Sequence, residues 1–231
     1  GRGQREAGRR AEKKDLFFAC GRQSGVQMDL RGSWIGRTYL SILDKYLVAW
    51  LRKKDLSPNS VTVWGLAMAC LVPVGFSLST WAGFVFIALS GIADSLDGFL
   101  ARATQRQSAF GSFWDSTLDR AADCAYLIGF LVLFWSFPQW RLAAAISLLL
   151  ALLFTLLISY TKAKIESLGH ICRTGFMSRP VRVAYLLAWA LLIALVPGVQ
   201  LELLLLGSGL YLVLVVLTVG QRIAEARRVL L

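Results

Sequence analysis

The sequence predicts an all-α polytopic membrane protein, with six transmembrane helices preceded by an amphipathic helix lying on the membrane surface. Three observations predict it. Of the 231 residues, 56% are hydrophobic and mean hydropathy is +0.59; soluble domains are nearer half apolar, and here the excess lies in long blocks. The formal charge is +11 but unevenly spread, with 13 of the 25 Lys/Arg in residues 1–54 and most others in two loops and at the C-terminus. Four aspartates, Asp94, Asp97, Asp115 and Asp119, fall where hydrophobic runs meet.

Residues 1–33 are basic and Gly-rich, without the apolar core of a cleavable signal peptide. They read as an N-terminal arm, either a scar or a linker remnant. In residues 34–54, Trp34, Ile35, Leu40, Leu43, Leu47 and Trp50 alternate with Arg37, Asp44, Lys45 and Arg52 at helical spacing. That pattern suits an interfacial helix with its basic side toward lipid heads. Residues 55–231 form the six-helix membrane domain. Ser57 is a suitable N-cap and Pro58 suits a first helical turn. Spans are expected at about 58–78, 81–100, 108–136, 141–160, 183–196 and 201–219. The fourth continues as a polar helix through "TKAKIESLG", and "QRIAEARRVLL" ends the chain as a short basic helix.

Six spans place both termini on one side, together with the loops near Gln105 and Arg173. Of the Lys/Arg outside the spans, 23 then share that side and only Arg141 opposes them. The positive-inside rule makes the shared side cytoplasmic, and the acidic cluster with it. The basic charge thus marks cytoplasmic loops and lipid heads, and with no soluble basic module no nucleic-acid partner is expected. Cys20, Cys70, Cys124 and Cys172 lack CxxC spacing and read as free thiols. His170 is the single histidine, which excludes sites built from histidine pairs.

Asp94 and Asp97 are three apart and Asp115 and Asp119 four apart, so each pair shares a helix face. Four carboxylates converging at membrane depth repel each other and are costly to desolvate. A cation makes the arrangement reasonable, and oxygen-only ligands suit Mg2+, Mn2+ or Ca2+. Two such ions would suit phosphoryl chemistry. Gly98 lets a ligand approach the helix backbone, and Arg102, one turn on, is placed to hold a phosphate.

These residues resemble the signature of the CDP-alcohol phosphotransferases, DxxDGxxAR(x8)GxxxDxxxD. Asp94, Asp97, Gly98, Ala101, Arg102, Gly111, Asp115 and Asp119 match every fixed position. "LSPNSVT" is similar to the family's start of the first span, so the likeness covers about residues 34–225. The resemblance implies attack by an acceptor hydroxyl on the β-phosphorus of a CDP-linked alcohol, usually CDP-diacylglycerol, with CMP leaving. It implies two Mg2+ ions (Mn2+ as an alternative) held by Asp94, Asp97, Asp115 and Asp119, with Asp119 also the base. It implies nucleotide contacts from Pro58, Asn59, Thr62, Gly98, Arg102 and Ser108, and a homodimer. Asp123 lies outside the signature; pairing with Arg120 or polar packing is expected of it, not a metal role.

"SYTKAKIESLG" and "GFMSRPVR" resemble the phosphatidylinositol-phosphate synthase branch, with Lys for Arg at two positions and Val181 for a Glu. That likeness implies an acceptor phosphate pocket of Lys162, Lys164, Arg179, Arg182 and Arg222, taking inositol 1-phosphate or glycerol 3-phosphate. Solvated cytoplasmic charge is the bland alternative for these five. Two other readings stay open: a family member joining CDP-inositol to inositol phosphate, and a divalent-cation channel or transporter lined by the aspartates.

Overall fold

The computed structural model describes residues 57–103, 108–172 and 174–231. The expected basic arm and surface helix of residues 1–54 lie outside them. The described residues are helical, with no strand among them. The order is α1 Pro58–Cys70, α2 Val72–Leu78, α3 Thr80–Ala103, α4 Ala109–Phe134, α5 Arg141–Ser167, α6 Arg179–Leu195 and α7 Gln200–Leu230. Single 3-10 turns at Pro138–Trp140 and Pro197–Val199 occupy the expected "FPQW" and "PGVQ" turns.

Ser57 caps α1, its Oγ accepting from Ser60 N at 3.2 Å, with Pro58 in the first turn. The first expected span is broken into α1 and α2 at Leu71. Pro73 is the cause, since it lacks the N–H that a continuous helix would need. The expected C-terminal basic helix is instead the end of α7, which runs unbroken from residue 200 to 230.

Three stretches are long and apolar enough to cross a bilayer: Asn59–Leu78, Pro138–Ser167 and Gln200–Leu230. On α5 one stripe is buried (Ala144, Leu148, Ala151, Thr155, Ile158) and the opposite stripe, Leu142, Ile146, Leu149, Leu153 and Leu156, is exposed and equally apolar. A helix apolar on both faces belongs in lipid rather than water. The chain is an integral membrane protein.

The bundle is closed by small residues and aromatic rings. Phe130 of α4 stacks on Trp189 of α6, centroids 3.9 Å apart, and Phe76 of α2 adjoins Phe130. A Cβ on Gly207 would overlap the Trp189 indole, whose Nε1 donates to Leu203 O at 2.8 Å. Buried hydrogen bonds join helices where no water competes. Tyr126 of α4 donates to Ser90 Oγ of α3, and Ser90 donates to Gly65 O of α1, each at 2.7 Å. Thr155 of α5 meets Tyr211 of α7 at 3.1 Å. At the far end, Arg141 donates to Trp135 O and lies over its ring.

Candidate active site

The acidic cluster sits where α3 ends and α4 begins. Asp94 and Asp97 lie in the C-terminal third of α3, and Asp115 and Asp119 in the first three turns of α4. Ser108 starts α4 as its cap, accepting from Gly111 N at 2.9 Å. The clamp through Ser90 and Tyr126 fixes the two helices beside the cluster, Ser90 lying one turn before Asp94.

Asp94, Asp97 and Asp115 each offer a carboxylate oxygen within 4.8 Å of the others. Thr62 of α1 hydrogen-bonds Asp97. Asp97 Oδ2 and Asp115 Oδ1 are nevertheless buried with no hydrogen-bond partner. Buried anionic oxygens left without partners are costly unless a cation joins them. The donors present, all carboxylate oxygens, therefore fit a hard divalent ion.

The fourth aspartate is placed differently. Asp119 adjoins Asp115 but lies outside the three-carboxylate group. It forms an ion pair with Arg179, Oδ1 lying 2.9 Å from Nη1, and the same nitrogen donates a hydrogen bond to Asp94. Arg179, at the start of α6, thus ties α3 to α4 across the mouth of the cluster. Thr62, Asp94, Asp97, Asp119 and Arg179 border a small crevice there.

Beyond Arg179 a cavity of about 370 Å³ opens between α4, α5, α6 and α7. Its walls include Arg120, Lys162, Arg179, Arg182 and Arg222 as cations, and Asp119, Asp123 and Glu166 as anions. Four of the five cations expected to hold an acceptor phosphate are therefore brought together. Lys164 is exposed and does not line the cavity. Being two residues from Lys162, it points about 200° away around α5. The four differ in availability. Lys162 is half-exposed, 3.9 Å from Glu166. Arg222 is buried and donates to Ile158 O and Thr174 O. Arg182 is buried against Asp123 at 2.7 Å. Arg120, the partner expected for Asp123, instead donates to its own helix at Ser116 O. Arg120 is outcompeted by an arginine 59 residues away in the sequence.

Of the expected nucleotide residues, Asn59 and Ser108 converge: a Cβ on Gly111 would lie 3.4 Å from Asn59 Oδ1 and 3.0 Å from Ser108 Oγ. Thr62 joins the carboxylates, and Gly98 follows Asp97 in the same helix. The side chains of Pro58 and Arg102 lie outside the described residues.

Sequence reasoning missed the loop between α5 and α6. Glu225 of α7 accepts from Thr174 N and Oγ1 and from Cys172 Sγ. Burial, then the Glu225 hydrogen bond, push the Cys172 thiol up to about 11. Gly175 has φ +125°, and a Cβ there would also meet Arg222 Nε at 2.7 Å. The glycine itself was legible in "GFMSRPVR"; its partner, 47 residues on, was not.

An integral membrane enzyme with a carboxylate metal cluster is the class this fold and site define. Residues 55–220 match the family described as CDP-alcohol phosphatidyltransferase, and the chain belongs to that family. It is a metal-dependent transferase of phospholipid biosynthesis, so the channel or transporter reading gives way. The chain is 37% identical over 137 residues to archaetidylinositol phosphate synthase of Methanothermobacter thermautotrophicus, covering 59% of this chain and 67% of that one. It is 34% identical over 190 residues to phosphatidylinositol phosphate synthase of Streptomyces avermitilis, covering 78% and 76%. Among solved structures it resembles Mycobacterium tuberculosis phosphatidylinositol phosphate synthase with CDP-DAG bound, at TM-score 0.67 and 30% identity, covering 78% of this chain and 91% of that one. The same enzyme in complex with manganese and citrate gives TM-score 0.66 at 29% identity, covering 78% and 87%.

Proposed function

We propose that the protein transfers the phosphatidyl group of CDP-diacylglycerol to a phosphorylated polyol, with inositol 1-phosphate the favoured acceptor, releasing CMP. The observation that carries this reading is the cation-lined cavity sharing Arg179 and Asp119 with the acidic cluster. An acceptor phosphate held by Lys162 and Arg179 would bring a neighbouring hydroxyl to Asp119. The relatives named for inositol phosphate products support the same acceptor.

Asp119 takes the proton of that hydroxyl as the oxygen bonds to the β-phosphorus. The bond from this phosphorus to the CMP oxygen breaks, and the electron pair leaves with CMP. Asp94, Asp97 and Asp115, with Asp119 as a shared ligand, would hold two Mg2+ or Mn2+ ions. When bound, such ions neutralise the phosphate oxygens and acidify the attacking hydroxyl. Asn59, Thr62, Gly98, Arg102 and Ser108, with Pro58 shaping the turn, contact the cytidine diphosphate. The remaining helices complete six spans with both termini and the site on the cytoplasmic side, and two chains form a homodimer.

The test is an acceptor panel. Labelled CDP-diacylglycerol is supplied with inositol 1-phosphate, glycerol 3-phosphate, serine or inositol, and CMP release is followed. Turnover with inositol 1-phosphate is expected. Turnover with serine alone would sink the phosphate-pocket reading, and turnover with CDP-inositol in place of the lipid donor would move the chain to the other branch.

A further inference from the structure

The loop between α5 and α6 is moulded on one stripe of α7. Thr218, Gln221, Arg222 and Glu225 stand at i, i+3, i+4 and i+7, so they share a helix face. Each holds a different part of the loop. Thr218 Oγ1 accepts from Met177 N and Gln221 Oε1 from Phe176 N, both at 3.2 Å. Arg222 Nε donates to Thr174 O at 3.3 Å. Glu225 Oε2 accepts from Thr174 N at 3.1 Å, from Thr174 Oγ1 at 2.6 Å and from Cys172 Sγ at 3.2 Å. Thr174 is therefore gripped at three atoms, its two donors by Glu225 and its carbonyl by Arg222.

Arg222 is the member of this stripe that reaches the cavity. Its Nη1 donates to Ile158 O of α5, so two main-chain carbonyls set the plane of its guanidinium. The Ile158 carbonyl is fixed inside a helix, whereas that of Thr174 lies in an exposed stretch of loop. Gly175 clears the way between loop and guanidinium, since a Cβ there would lie 2.7 Å from Arg222 Nε. We infer that Glu225 is a positioning residue for the acceptor: it fixes Thr174, and through the Thr174 carbonyl the direction in which the Arg222 guanidinium faces the cavity. Glu225 does not line that cavity itself. A planar fork recognises a phosphate by direction as well as by charge, so turning it weakens the acceptor's hold without touching the donor's.

The inference takes the acceptor from the reading above, and the test separates the two. The purified enzyme is assayed for acceptor KM at saturating CDP-diacylglycerol, for donor KM and for kcat. Glu225→Gln keeps the shape of the side chain but grips Thr174 more weakly. It is expected to raise acceptor KM about five- to tenfold, with donor KM and kcat within about twofold. Arg222→Lys identifies the route. Lysine has no fork for the Thr174 carbonyl to orient, so adding Glu225→Gln to Arg222→Lys is expected to raise acceptor KM by less than about twofold more. The loop is read separately, without substrate, in protein whose Cys20, Cys70 and Cys124 are replaced by serine. There Glu225→Gln is expected to speed iodoacetamide alkylation of Cys172 at least about threefold, because the thiol loses its carboxylate partner. The inference is overturned if Glu225→Gln raises acceptor KM as much beside Arg222→Lys as alone, since Glu225 then acts without Arg222. It is equally overturned if alkylation quickens while acceptor KM stays unchanged, because the clasp is then structural only. Unchanged alkylation, or a donor KM or kcat that moves as far as acceptor KM, overturns it too. Should Glu225→Gln fail to fold, Thr174→Val at an exposed position decides: a rise in acceptor KM of about threefold, absent beside Arg222→Lys, is expected, and no rise overturns the inference. If inositol 1-phosphate is not the acceptor, wild-type enzyme fails with it, the acceptor reading falls alone, and the same comparison is made with whichever panel member releases CMP.

Discussion

Asp119 is the only carboxylate of the four that touches both the acidic cluster and the cavity. Its replacement should therefore separate chemistry from binding. Asp119→Asn is expected to lower kcat by about 10²–10⁴-fold, read as CMP release at saturating substrates. Asp97→Asn, which removes an orphaned buried oxygen of the three-carboxylate group, should instead weaken Mn2+ binding by at least about tenfold in a titration without substrate. Cys172 gives a prediction outside the chemistry. With its thiol pushed up to about 11 by burial and by Glu225, little thiolate exists at pH 8. Its alkylation by iodoacetamide should run on the order of a hundredfold slower than that of glutathione at pH 8, and climb about tenfold per pH unit to pH 10. A flat rate across that interval would contradict the shift.

The helices were largely legible, because apolar runs in a membrane are bounded by signals that do not depend on partners. Ser57 and Pro58 start α1, and the proline turns at Pro138 and Pro197 stand where "FPQW" and "PGVQ" put them. The breaks that were misjudged depend on context. Pro73 divides the first span, and the end of α7 stays helical although its composition turns basic, with Arg222 and Glu225 engaging the 172–175 loop. What a linear reading could not supply was which helix meets which. Ser90 and Tyr126 looked like two polar residues in apolar runs, yet they join α1, α3 and α4 beside the aspartates. Tyr126→Phe is expected to cost about 0.5–1.5 kcal/mol of stability, measured by denaturant unfolding in detergent. Gly207→Ala should cost about 1–3 kcal/mol by forcing Trp189 out of its stack on Phe130, seen as a lower Tm.

At the scale of the whole molecule, the signature reported its own geometry well. Spacing of three and of four put each aspartate pair on one helix face, and three of the four carboxylates converge. The exception, Asp119, and the partner of Asp123 were set by arginines that arrive from α6, 59 or more residues away. Loop charge leads us to propose that this end is cytoplasmic, and the placement can be measured. Leu168 and Gly198 are exposed at opposite ends of the bundle's long helices. In a cysteine-free background, Leu168→Cys should react with a membrane-impermeant maleimide only from the cytoplasmic face, and Gly198→Cys only from the other.

Arg179 gives this arrangement one further property. A single guanidinium forms part of the wall of two compartments, one bordered by carboxylates that fit a hard divalent ion and one lined by cations that suit a phosphate. Whatever one compartment's ligand does to the guanidinium is felt in the other. Thermodynamic linkage then requires symmetry: the factor by which a divalent ion changes the enzyme's affinity for phosphate equals the factor by which phosphate changes its affinity for the ion. An ion among the carboxylates and a phosphate in the cavity would thus sense each other through one side chain.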